Sequence, residues 1–200
     1  VLGSAILDGT TVKNGVNVGG NITATKASAD AMNAGGKIAL KGSRVSGQIN
    51  AGNSVTAIGC EQLGEIKANG CVELDGCPHV NSVSANDRVT LHESKVLGNV
   101  CTSSDVTIQD STIEGTLTCV SNYIAIDGSH IDTIDLRNAS ERLRFLGDNS
   151  DPFSQIIRLH NCTVKNIIFE SGNGQVILAE GSTVTGTITG GQSFVSYPVR

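Results

Sequence analysis

The sequence has very few aromatic side chains. Phenylalanine, tyrosine and tryptophan together make up 3% of its 200 residues, and tryptophan is absent. A globular core of this size normally uses aromatic rings to fill irregular space. Since 38% of the residues are nevertheless hydrophobic, the core must be thin and regular and must be built from valine, isoleucine, leucine and alanine.

Charge is also scarce. Only 16% of the residues are charged, and the net charge is −5. A surface for nucleic acid or for an anionic membrane needs clustered lysine and arginine, and no such cluster follows the sequence. No apolar run approaches the roughly 18 residues of a membrane span. We therefore expect no nucleic-acid partner and no membrane insertion by this segment.

Proline is rare, with 3 residues, whereas glycine is abundant, with 24. Many short strands separated by glycine and asparagine turns give this balance. Five segments then align at a constant shift of 17 residues without a gap: KIALKGSRVSGQINA, VTAIGCEQLGEIKA, VELDGCPHVNSVSA, VTLHESKVLGNVCT and VTIQDSTIEGTLTC. Within each segment apolar and polar residues alternate, which is the period of a β-strand.

Turn residues recur at fixed positions of this repeat. Gly42, Gly59 and Gly76 mark one corner, and Gly47 and Gly64 mark another. The third corner is marked by Gly52 and Asn53, by Asn69 and Gly70, and by Asn86 and Asp87 in successive rungs. Three strands and three corners predict a triangular rung, and stacked rungs lie about 4.8 Å apart. The sequence thus predicts an all-β fold, a single-stranded parallel β-helix of ten or eleven rungs. Corner spacings near five, six and six residues favour a right-handed winding.

The repeat extends in both directions with irregularities. We expect one β-solenoid domain over residues 1–200, with an irregular loop near 137–156 and a C-terminal cap near 191–200. Residues 22–34 fit either another rung or a short helical excursion, because their centre reads ATKASADAMNA.

The windings KIALKGSRVSGQINA and VTIQDSTIEGTLTC resemble those of bactofilins, bacterial polymer-forming cytoskeletal proteins. The resemblance covers most of the chain. It implies a right-handed triangular β-helix that joins end to end, binds no nucleotide and catalyses nothing. The surface differs from that of bactofilins, since it is richer in threonine, serine and asparagine. This favours a secreted or cell-envelope location over a cytoplasmic one.

The most distinctive candidate site lies on two adjacent rungs. Cys60 and Cys77 share one position of the repeat, and Gln62 and His79 share another, where neighbouring rungs carry valine. Both positions are expected to point inward. Three interpretations stay open: a buried polar ladder, a Cys60–Cys77 disulfide, or a zinc site with Cys60, Cys77 and His79 as ligands. We expect no metal and no cofactor.

The irregular stretch is a second candidate, because loops that leave a regular scaffold often carry binding function. A carboxylate pair there could hydrolyse a sugar, and the alternative is a solvated loop whose charges pair with one another. The possible binding loop comprises Arg137, Arg142, Arg144, Asp148, Asp151 and Arg158.

We find no recognisable catalytic motif, so the chain is expected to be a non-enzymatic structural β-solenoid, a scaffold or self-assembling subunit. The alternatives are a secreted or cell-surface module that binds a glycan or protein, and a carbohydrate-active enzyme. The expected partner is a second copy, because the apolar start VLGSAIL offers an uncovered strand edge. Phe194, Tyr197 and Pro198 are expected to cover the other end, which favours a closed dimer, whereas the bactofilin resemblance favours an end-to-end polymer.

Overall fold

The fold is known from a computed structural model that describes residues 3–121, 123–137 and 155–196. These residues form 26 β-strands and no helix, and so contain no helix that could cross a membrane. The strands fall into two parallel sheets. The first sheet has 11 strands, one from each turn: β1 (Ala5–Asp8), β4 (Ile22–Thr25), β7 (Ile38–Lys41), β10 (Val55–Ile58), β12 (Val72–Asp75), β14 (Val89–His92), β17 (Val106–Gln109), β19 (Tyr123–Asp127), β21 (Gln155–His160), β23 (Gly174–Leu178) and β26 (Gly191–Val195).

The second sheet collects the rest of each turn, as one long strand or as two short ones. Its 15 strands are β2 (Thr11–Val12), β3 (Val16–Val18), β5 (Ser28–Ala29), β6 (Met32–Ala34), β8 (Arg44–Val45), β9 (Ile49–Ala51), β11 (Gln62–Ala68), β13 (Val80–Ala85), β15 (Lys95–Val96), β16 (Val100–Thr102), β18 (Thr112–Val120), β20 (His130–Arg137), β22 (Thr163–Phe169), β24 (Thr183–Val184) and β25 (Ile188–Thr189).

The strand register confirms the predicted β-solenoid. Val55 of β10 pairs with Ile38 on one side and with Val72 on the other, which is the 17-residue step of the sequence. The chain makes about ten such turns. The helical alternative for residues 22–34 is wrong, because this stretch forms β4, β5 and β6 and completes an ordinary rung. The right-handed winding stays a prediction.

The core is a continuous apolar column between the two sheets. Within a strand the buried side chains alternate with exposed ones, as in β7, where Ile38 and Leu40 are buried and Ala39 and Lys41 are exposed. The buried residues are mostly aliphatic, as the lack of aromatics predicts, and Phe169 is the one aromatic ring among them within the described residues. A single rung cannot bury its own apolar face, so each rung is stabilised by its two neighbours.

One corner of every rung contains a residue in the left-handed backbone region. In successive rungs it is Gly42, Gly59 and Gly76, with φ between 56° and 61°, and then Glu93 and Asp110, with φ of 45° and 49°. A side chain therefore fits at this corner. Replacing one of these three glycines costs only the free energy of placing a residue with a side chain in the left-handed backbone conformation. At Gly59 an added Cβ would meet no atom within 4 Å.

At a second corner Gly64 is needed for a different reason. Gly64 lies directly over Gly47 of the preceding rung, and an added Cβ would collide with the Gly47 carbonyl oxygen. The two glycines allow the backbones of adjacent rungs to approach closely.

The expected irregular loop falls between two adjacent rungs. Strand β20 ends at Arg137, and β21 of the next rung begins at Gln155. Residues 138–154, on which the expected loop falls, lie outside the described part of the chain. The Gln155 side chain is fully buried there, and its amide donates to the Arg137 carbonyl at 3.0 Å. Within the expected cap near 191–200, Gly191–Val195 form β26, which pairs in parallel with β23, and residues 197–200 are not described.

The two corners make a testable contrast. Gly59→Ala should lower the free energy of unfolding by about 1 kcal/mol, because only the left-handed backbone is disfavoured. Gly64→Ala should cost more, about 3 kcal/mol, because the rungs must move apart. Chemical denaturation monitored by circular dichroism measures both. Equal losses for the two variants would contradict this account of the corners.

Candidate functional site

The corner that carries Cys60 and Cys77 forms a buried ladder of hydroxyl and thiol groups. Each of these residues directly follows the left-handed corner residue of its rung. The position is occupied in turn by Ser43, Cys60, Cys77, Ser94, Ser111, Ser129, Cys162 and Ser182, and all but the last are almost fully buried.

Every member of this corner ladder from Ser43 to Cys162 makes the same two kinds of hydrogen bond, and Ser182 makes the second kind. Its side chain donates to the carbonyl two residues earlier, as Ser94 does to His92 at 2.8 Å and Cys77 to Asp75 at 3.5 Å. It also accepts from the backbone of the preceding rung, as Ser94 accepts from the Cys77 N–H at 3.1 Å. The Cys77 thiol accepts in the same way from the backbone of Cys60. The thiols thus replace serine hydroxyls in a structural role, which supports the polar-ladder interpretation.

All six cysteines are free in the structure, so the Cys60–Cys77 disulfide is not formed. The hydrogen bond between the two thiols, followed by burial, raises the pKa of Cys77. Burial likewise raises the pKa of Cys162, and that of Cys119 to about 12. The hydrogen bond between the Cys60 and Cys77 thiols also lowers the pKa of Cys60 to about 7. Metal binding and nucleophilic attack need the thiolate, so Cys60 is the member of the pair that can reach this form. The protonated form of Cys77 suits the ladder instead, because a thiol can donate to the Asp75 carbonyl.

The expected inward position of Gln62 and His79 is wrong. Both side chains are exposed, and the buried positions belong to Leu63 and Val80, which pair with Val45 and Val96 respectively. Rungs four and five carry one extra residue after the corner, so a constant shift of 17 residues assigns the wrong face at this point. His79 therefore does not converge with the two thiols. Among the described residues no group of three His, Cys, Asp or Glu side chains is placed to hold a metal ion.

The arginine-rich candidate loop is only partly described. Arg137 lies at the end of β20 and pairs with Asp135 at 3.2 Å, and Arg158 lies on the exposed face of β21 in the other sheet. Arg142, Arg144, Asp148 and Asp151 lie outside the described residues, so the binding loop and its carboxylate pair stay predictions.

Two histidine–aspartate pairs lie on the exposed face of the first sheet. His92 Nδ1 lies 2.8 Å from Asp75 of the preceding rung, and His160 Nδ1 lies 2.7 Å from Asp127. The hydrogen bond with Asp75 raises the pKa of His92. Neither pair is enclosed, because all four side chains are about half exposed.

A shallow groove of about 680 Å³ runs along the outer surface of rungs one to five. One column of outward side chains lines it, and this column consists of Asn17, Asn33, Asn50, Lys67 and Ser84. The first three form an amide ladder, in which Asn33 donates to Asn17 at 2.7 Å and Asn50 donates to Asn33 at 2.6 Å. The repeat pattern by itself did not single out this ladder. Asparagine at the centre of VNV, MNA and INA is the feature of the sequence that indicates it.

Comparison with known proteins gives no relative for this chain: no family model, no curated protein and no solved structure matches it. The resemblance to bactofilins stays a prediction.

The corner ladder predicts that the Ser94 hydroxyl contributes to the stability of the fold. Ser94→Ala should lower the free energy of unfolding by about 1–3 kcal/mol, because the buried Cys77 N–H loses its acceptor. Ser94→Cys should lose less, since cysteine fills this position in other rungs. Thermal and chemical denaturation measure both, and the exposed Ser46→Ala serves as the control. A Ser94→Ala variant as stable as the control would contradict a stabilising ladder.

The Asp75–His92 pair predicts that the raised pKa of His92 depends on the Asp75 carboxylate. Asp75→Asn should lower the pKa of His92, whereas Asp127→Asn, the matched change beside His160, should leave it unchanged. Because the pKa of His92 is raised in the folded state, the pair stabilises the fold at pH values below the unfolded-state pKa, which is near 6.5. This contribution is lost as the pH rises through the folded-state pKa of His92. NMR titration of the imidazole signals measures the shift. An unchanged His92 pKa in Asp75→Asn would refute the assignment.

Proposed function

We propose that this chain is a non-enzymatic structural rod that assembles end to end through the open edge of its first rung. The observation that carries this proposal is the pairing of that rung. Within the described residues β1, β2 and β3 each pair on one side alone, with β4, β5 and β6 respectively. The opposite side presents unpaired backbone N–H and C=O groups, which are a template for another strand.

The side chains of the first rung support the same proposal. Its inward residues Leu7, Val12, Val16 and Val18 are only half-buried. Their counterparts in the second rung, Ala24, Ala29, Met32 and Ala34, are almost fully buried. The apolar column thus opens to solvent at the first rung, and a further rung stacked there would bury it.

The other end favours head-to-tail assembly over a closed dimer. Strands β24 and β25 pair only with β22, and β26 pairs only with β23, so this end also presents strand edges within the described residues. A head-to-tail junction joins two different edges and keeps all strands parallel, as they are throughout the rod. Such a heterologous contact repeats without closing and gives a filament.

The open edge can be tested with one residue. In a parallel pair alternate residues bond to a given neighbour, and Ala5 and Gly9 donate to the second rung. The N–H of Ile6 therefore faces the open side, and Ile6→Pro removes a donor there without breaking a bond of the rod. The control Ile6→Ala removes the exposed side chain but keeps the N–H.

We expect the unmodified chain and Ile6→Ala to associate as concentration rises, and Ile6→Pro to remain monomeric with an unchanged circular dichroism spectrum. Size exclusion with light scattering measures the mass, and negative-stain microscopy distinguishes filaments from dimers. A head-to-head dimer would overturn the proposed polarity. A monomeric rod at the highest attainable concentration would overturn self-assembly itself.

A further inference from the structure

The groove along rungs one to five has properties that the proposed rod does not use. We propose that it binds a neutral, extended polysaccharide chain, with about one sugar residue against each rung. The amide ladder Asn17, Asn33 and Asn50 provides the recognition surface, and Lys67 and Ser84 continue it.

The amide ladder leaves hydrogen-bonding capacity for a ligand. A carboxamide offers two donor hydrogens and two acceptor lone pairs. The ladder uses one donor each of Asn33 and Asn50 and one lone pair each of Asn17 and Asn33. Each amide thus keeps both a donor and an acceptor, held in a fixed orientation by its neighbour. Vicinal hydroxyl groups, which both donate and accept, are the matching chemistry.

The floor of the groove stays open because glycine is required beside the amide ladder. An added Cβ at Gly35 would collide with the Gly19 carbonyl oxygen, and one at Gly52 would collide with that of Gly35. In the first three rungs this corner therefore carries no side chain. In rungs four and five it holds Asn69 and Asn86, which also line the groove. The groove extends over four rung steps, about 19 Å.

The charge of the groove selects against ionic ligands. Lys67 is the one charged side chain that lines it, and its ammonium group lies 2.9 Å from the Glu65 carboxylate. The local charge is thus balanced. A polyanion such as a nucleic acid would meet no excess of positive charge, and the net charge of −5 would repel it.

The spacing of the groups selects against a peptide. Backbone amides that face one side of an extended peptide repeat about every 6.7 Å, which is twice the rise per residue. The rungs repeat about every 4.8 Å. A peptide would lose register with the amides after one or two rungs. A pyranose unit in an extended β-1,4-linked chain advances by a length close to one rung. Alternate units face opposite ways, so equivalent hydroxyl groups recur at every second rung and the chain keeps register with the amides.

The experiment uses cellohexaose and N-acetylchitohexaose as probes and the ¹⁵N NMR signals of the asparagine side chains as the readout. Maltohexaose, whose α-linkages curve the chain, and an uncharged extended peptide are the ligand controls. We expect saturable shifts of the Asn17, Asn33 and Asn50 amides with at least one β-linked probe, and weaker or no shifts with either control ligand.

Variants locate the binding. Asn50→Ala should weaken the affinity about three- to tenfold, the loss of one or two neutral hydrogen bonds. If Asn50→Ala fails to fold, Ser84→Arg takes its place, because this exposed position is outside the amide ladder and the long side chain would obstruct the groove. Asn81→Ala, an exposed asparagine on another face, is the matched control.

No saturable shift with either β-linked probe, equal binding of a control ligand, or equal weakening by Asn81→Ala would overturn the proposal. A monomeric chain still contains the groove, so this test is independent of self-assembly.

Discussion

The fold depends on the stacking of one rung on the next in constant register. A single turn of this chain has one narrow apolar face and almost no aromatic side chains, so it buries that face only against its neighbours. Register matters more here than in an ordinary sheet, because a slip of one residue moves every inward side chain to the surface. The 17-residue step is therefore the constraint from which the core, the corners and the outer columns all follow.

The corner ladder shows how this register is held where the strands end. A sharp bend leaves backbone groups without strand partners, and buried polar groups of this kind must be satisfied. Serine or cysteine follows the left-handed residue in every rung from Ser43 to Ser182 and accepts from the rung before. From Ser43 to Cys162 this side chain also donates within its own rung. The two adjacent thiols are members of this series, and their chemistry is that of a small buried hydrogen-bonding group.

The same stacking produces the two features on which the functional proposals rest. Because every rung needs a neighbour, the first described rung, whose strands pair on one side alone, is where the proposed second copy would add a further rung. Because every rung repeats the one before, an outward asparagine recurs at rung spacing and its amides align into a ladder. A rod that presents a regular array of amides to an extended polymer is compatible with end-to-end growth, since the groove lies along the side and the open edge lies at the end.

The sequence by itself determined the fold class, the length of the repeat, the aliphatic core and the glycine corners, because each of these is a local pattern repeated many times. Only the tertiary structure decided which face Gln62 and His79 occupy, because the extra residue after the corner in rungs four and five is compensated later in the same rung and leaves the overall period unchanged. Gln155 had no sequence signal, since its partner carbonyls at Ser121 and Arg137 belong to the two preceding rungs. Contacts of this kind depend on how the corners of successive rungs stack, and that is a property of the assembled rod.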